Sequence, residues 1–149
     1  MLSSKDKEHT RIKEIIHVGQ LELHFLLDGD DTEGRLCLFE FVVPPQARVP
    51  APHFHTKVDE LLYGLRGTMH GTVAGQAMTL GPGESYFIGR GVVHHWHNPG
   101  PDPAHVLTTL TPASIGPAYF RELGALLAAG PPDPARVRDI MARHGLVVA

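Results

Sequence analysis

The chain has 149 residues and a formal net charge of −3, with 13 lysines and arginines against 16 aspartates and glutamates. That length suits one domain with one core, and the charge leaves no basic field for nucleic acid or an anionic membrane. The single cysteine, Cys37, excludes an internal disulfide framework, and no apolar run reaches the length of a membrane span.

Residues 1–11 read as a solvated tail. The polar stretch Met1–Glu14 lacks the apolar core of a signal peptide, so a cytoplasmic location is expected. From Ile12 the pattern turns period-two. Leu21, Leu23, Phe25 and Leu27 alternate with more polar neighbours, as in a half-buried strand. Asp28–Gly34 reads as a plain turn, because its glycine spacing does not fit a calcium loop. Arg35–Val43 is a second strand, ended by Pro44-Pro45.

Short strands then recur at hairpin spacing: Glu60–Leu65, Thr68–Val73, Ala77–Leu80, Ser85–Ile88, His94–Asn98 and His105–Leu110. Turn signals such as Arg66-Gly67, Gly81-Pro82-Gly83 and Pro99-Gly100-Pro101 separate them. Many short strands with regular turns, in a chain with 16 glycines and 13 prolines, predict an all-β sandwich or barrel over 12–112. Two short helices, 117–129 and 134–144, are predicted in a C-terminal extension spanning 113–149. Phe120, Leu123, Leu126 and Leu127 carry the first at helical spacing. Asp133-Pro134 caps the second, and Gly145 stops it.

Histidine is the residue with a message. Five of the eleven stand in two clusters, His53-Phe54-His55 and His94-His95-Trp96-His97, with His70 between them. On an extended strand i and i+2 share a face, so His53 and His55 can reach one ion. Glu60 stands at an odd offset from His55. A turn over Thr56–Asp59 must therefore bring it back on the neighbouring strand. In the second cluster alternation separates His94, Trp96 and Asn98 from His95 and His97, and local spacing does not choose between the faces.

These residues resemble the two motifs of the cupin superfamily. His53-x-His55-x4-Glu60-x6-Gly67 follows the spacing of the first, with Ala47 in place of its leading glycine. Gly83-x5-Gly89-x-Gly91-x2-His94-x3-Asn98 follows the second, with Gly89 in place of proline. The resemblance implies an all-β cupin jelly-roll barrel, here a single-domain cupin similar to the quercetin dioxygenase-like proteins. It also selects His94 over His95 and His97, and implies that His53, His55, Glu60 and His94 hold one divalent metal.

Nitrogen and oxygen donors together suit Fe, Mn, Ni, Co, Cu or Zn. The implied function is metal-dependent oxidation of a small enol, phenol or other small organic substrate by a dioxygenase-like enzyme. Glu60 would serve as ligand and proton acceptor, and Phe41, Leu62, Met69 and Trp96 are the candidate pocket residues. Two alternatives follow from the same site. One is Lewis-acid isomerisation, cyclisation or decarboxylation without oxygen; the other is non-catalytic binding of a small ligand or metal. The resemblance further implies a homodimer, with the β segment 12–27 as the candidate for strand exchange. His70 is read as a surface residue, with a role beside the pocket as its alternative, and His95 and His97 as solvent-facing or subunit-contact residues.

Overall fold

The computed structural model describes residues 11–149, so all but the last residue of the expected tail lies outside the described residues. Eleven strands form two antiparallel sheets. In chain order they are β1 (Glu14–Val18), β2 (Leu21–Leu27), β3 (Cys37–Val43), β4 (His53–His55), β5 (Asp59–Arg66), β6 (Met69–Val73), β7 (Gln76–Leu80), β8 (Ser85–Ile88), β9 (His94–His97), β10 (Ala104–Thr111) and β11 (Leu146–Val148). One sheet runs β1-β2-β3-β10-β5-β8 and the other β11-β4-β9-β6-β7. The strands hydrogen-bond as two separate sheets, so the expected jelly roll takes the form of a two-sheet sandwich that is not closed into a barrel.

Alternation explains which faces meet. Leu21, Leu23 and Phe25 of β2 and Cys37, Phe39 and Phe41 of β3 are buried while Glu22, His24, Leu38 and Glu40 between them are partly exposed, and β3 ends buried at both Val42 and Val43. Burial pushes the Cys37 thiol up to about 11, which leaves it a small apolar core residue.

The segment 12–27 is two strands rather than one. Gly19 (φ 61°) turns the chain between Val18 and Leu21, which are register partners. Gly67 is demanded twice over, by a φ of 65° and by the Pro103 carbonyl oxygen 2.2 Å from where a Cβ would sit. At the motif's leading position the left-handed residue is Gln46 (φ 67°), not Ala47.

Helix α2 (Pro117–Ala128) and helix α3 (Pro134–Arg143) follow β10, and β11 then returns to pair with β4. A third, one-turn helix corrects the turn expected over Asp28–Gly34. In this helix, α1 (Gly29–Thr32), the Asp28 side chain accepts from Asp30 N and the Asp31 side chain accepts from Asp28 N, both at 2.9 Å. That reciprocal cap stabilises a single turn that apolar periodicity cannot reveal. Helix α2 packs on β1 through Gly124, where a Cβ would lie 2.3 Å from the His17 carbonyl oxygen. Among the described residues, no helix is long and apolar enough to cross a membrane.

Candidate metal centre

The inner face of β4 presents His53 and His55, and β9 lies beside it with His94 in register with His53. The ring centroids are 5.3 Å apart for His53–His55, 4.6 Å for His53–His94 and 4.9 Å for His55–His94. One ring nitrogen from each lies within 4.8 Å of the others, so the three imidazoles can hold one metal ion. Backbone carbonyls orient two of the rings. His53 Nδ1–H donates to Ala51 O at 2.8 Å and His94 Nδ1–H to Val92 O at 3.0 Å. Because a carbonyl only accepts, each of these nitrogens carries the proton and each neutral ring keeps its Nε2 lone pair free.

Glu60 arrives by a different route from the one expected. The turn after His55 does not fold back within one sheet; it crosses the sandwich, so Glu60 stands on β5 of the opposite sheet. Its buried Oε2 sits 3.0 Å from His94 Nε2, yet it has no hydrogen-bond partner. The two atoms are close but poorly aligned for donation. An unanswered buried carboxylate oxygen is costly, and a cation shared with the imidazoles would answer it. The three imidazoles therefore fit a divalent metal, whereas Glu60 borders the group beside His94 and stands outside the set whose donor atoms all lie within 4.8 Å of one another.

Electrostatics agree with that donor set. Burial, helped by repulsion from His94, lowers the His53 pKa to about 3, so this imidazole is neutral. Burial likewise lowers His55. Burial works against charge on Glu60 and His94 too, but their mutual attraction outweighs it, lowering the carboxyl and raising the imidazole. A proton and a cation thus compete for the same His94 nitrogen.

The alternation read from the second cluster places each residue. His94, Trp96 and Asn98 are buried, and His95 and His97 are half-exposed on the other face. His95 Nε2–H donates to Val49 O at 3.0 Å, and His97 lies opposite His70 in register. Asn98 stays away from the imidazoles. Its Nδ2 donates to Val43 O and Asp102 O, and its Oδ1 accepts from Gly100 N, so it secures the turn after β9.

The imidazoles and Glu60 open on a cavity of about 70 Å³ walled mainly by apolar side chains. Phe41 and Trp96 line it. Leu62 and Met69 are fully buried in the core and do not. Sequence reasoning missed Leu21, Leu23 and Phe39 as wall residues, although their alternation already marked them as inward-facing. Tyr119, Phe120 and Leu123 of α2 complete the enclosure. Burial pushes the Tyr119 phenol above its ordinary value, so its hydroxyl stays protonated.

Residues 39–110 match the Cupin domain family. Solved structures with the same fold include a predicted oxalate decarboxylase from Thermotoga maritima, 21% identical, with a TM-score of 0.63 over 70% of this chain and 98% of that one. A sugar phosphate isomerase from Silicibacter pomeroyi is 19% identical, with a TM-score of 0.56 over 71% and 72% of the two chains. The polyketide cyclase RemF from Streptomyces resistomycificus is 26% identical, with a TM-score of 0.57 over 74% and 78%. No curated protein sequence gives a significant match. That match covers 72 of the 149 residues, and the solved structures share the fold.

Proposed function

We propose that this chain is a metal-dependent cupin enzyme, an oxidoreductase of the dioxygenase type acting on a small enol or phenol. One observation carries the reading: three converging imidazoles and an unanswered buried carboxylate oxygen face a small, apolar-walled cavity. A redox-active divalent transition metal, when bound, supplies Lewis acidity and electron transfer to dioxygen. His53 and His94 would hold it through Nε2, His55 through one ring nitrogen and Glu60 through its carboxylate. Glu60 would also accept a proton from a substrate hydroxyl, a role supported by the attraction of His94 that holds its carboxyl ionised despite burial. The apolar walls would receive an apolar substrate body.

A second reading is Lewis-acid chemistry without oxygen, and the 26% identity to a protein named as a polyketide cyclase favours it. Elemental analysis of freshly purified protein, followed by reloading with Fe²⁺ or Zn²⁺, separates the two. Oxygen uptake with small enols in the iron form alone supports the first reading. Equal turnover of a keto or hydroxy acid in the zinc form replaces it with the second. No turnover with any metal leaves a binding module, and no bound metal refutes both enzymatic readings.

The homodimer is likewise a proposal. Among the described residues strand β1 is a sheet edge, and Ile15 within it and Ile12 just before it are about half exposed, which suits pairing with a second copy. Light scattering that returns the mass of one chain refutes it.

A further inference from the structure

Arg35, Arg90, Arg121 and Arg143 each pair with a carboxylate. Arg48 and Arg138 do not: among the described residues neither guanidinium has an ion-pair or hydrogen-bond partner. Yet both line one groove of about 360 Å³, about five times the volume of the metal cavity. Gln20 and Gln46 line it too, and no aspartate or glutamate does. Asp133, which stands in sequence between two of its prolines, is turned to cap α3 and accepts from Ala135 N at 2.9 Å. A lone guanidinium in water needs no explanation. Two along one concavity that holds no carboxylate make a site for an anion.

The groove lies where the helices meet the sandwich. The turn between β1 and β2 supplies Gly19 and Gln20, the segment after β3 supplies 46–51, and the start of α3 supplies Pro134, Val137 and Arg138. Pro50, Pro132 and Pro134 stand in its walls with fixed φ, which limits the order a ligand must impose. The Gln46 side chain is also held, its Nε2 donating to Pro99 O at 3.0 Å. The two arginines are exposed, whereas Val18, Val49 and Val137 of the lining are buried. Charge at the rim and apolar surface beneath suit an organic anion better than a bare inorganic one. Val18, Val49 and Pro50 are walls of the metal cavity as well, so the two spaces adjoin. Ala51, whose carbonyl orients His53, borders the groove.

We propose that this groove binds a small organic anion, its carboxylate or phosphate taken by Arg48 and Arg138 and its apolar body by the buried valines. The forked donors of a guanidinium match either oxyanion. The volume falls within the roughly 300–1,000 Å³ of small-molecule sites. The site stands on its own residues and needs no metal.

Titration calorimetry of the full chain with benzoate, phenyl phosphate and benzyl alcohol provides the test. The three share one ring; two carry the anions and the third is neutral. At least one anion is expected to bind Zn²⁺-loaded and chelator-treated protein alike, more weakly as salt is raised. The alcohol should bind more weakly by about tenfold or more. Benzoate binding alone makes the groove a carboxylate site, and phenyl phosphate binding alone makes it a phosphate site. Both arginines are exposed, so Arg48→Gln and Arg138→Gln should fold, and each should weaken the anion about tenfold. No binding of either anion overturns the proposal, as does equal affinity for the alcohol or unchanged affinity in either folded variant. Binding confined to the zinc-loaded protein puts the anion on the metal and overturns it too, while the metal centre stands. Protein that holds no zinc but keeps the anion refutes only the metal centre.

Discussion

His55 and His95 make the clearest pair at the residue scale, because they are alike in type and opposite in placement. His55 is buried among the imidazoles, whereas His95 points from the other face of β9 and donates to Val49 O. His55→Ala should reduce metal stoichiometry severalfold, read by elemental analysis, because it removes one of four donors. His95→Ala should leave occupancy unchanged. The same contrast shows what was legible in the sequence. The spacing His53-x-His55 and the motif position of His94 foretold which imidazoles converge, because strand geometry translates i, i+2 directly into a shared face. The position of Glu60 was legible only as one of the set. Which sheet it belongs to depends on where the chain crosses the sandwich, and no local pattern encodes that.

Helix α2 is where packing and site meet among the elements. Gly124 allows the helix backbone to approach β1, and the same helix carries Tyr119 and Leu123 against the cavity. Gly124→Ala would place a methyl group against the His17 carbonyl and lift the helix. The expected cost is about 1–3 kcal/mol, checked by urea denaturation.

A bidentate contact holds the N-terminal half of the same helix. Arg121 Nε and Nη2 donate to the two carboxylate oxygens of Glu14 on β1 at 2.6 and 2.7 Å. The Arg121 hydrogen bonds hold the Glu14 carboxyl below its ordinary value. A depressed carboxyl contributes stability above its unfolded value and loses it as pH falls through the folded one. Glu14→Gln should therefore melt slightly earlier at pH 7, within the roughly 0–1 kcal/mol of surface ion pairs. The difference from wild type should shrink as pH falls below the ordinary carboxyl range and through the lowered folded value. Other elements resisted sequence reasoning for definite reasons. Helix α1 is one turn held by a carboxylate cap, and β11 is three residues whose strand state depends on pairing with β4. Neither is long enough to show a period.

For the molecule as a whole, the centre joins two layers. The imidazoles belong to β4 and β9 of one sheet, and Glu60 belongs to β5 of the other. A metal bound only by the folded state stabilises it by mass action. That is roughly 4 kcal/mol when free metal stands 1,000-fold above Kd, or about 10 °C in Tm for a chain of this size. Differential scanning calorimetry of loaded and chelator-treated protein measures the shift, and identical melting temperatures would mean that no ion bridges the layers.

The bridging position of Glu60 carries a last implication. An ion clamped between two layers acts as a rivet, so the layers cannot part locally without releasing it. Amide exchange along β4 and β5 should then quicken together on chelation.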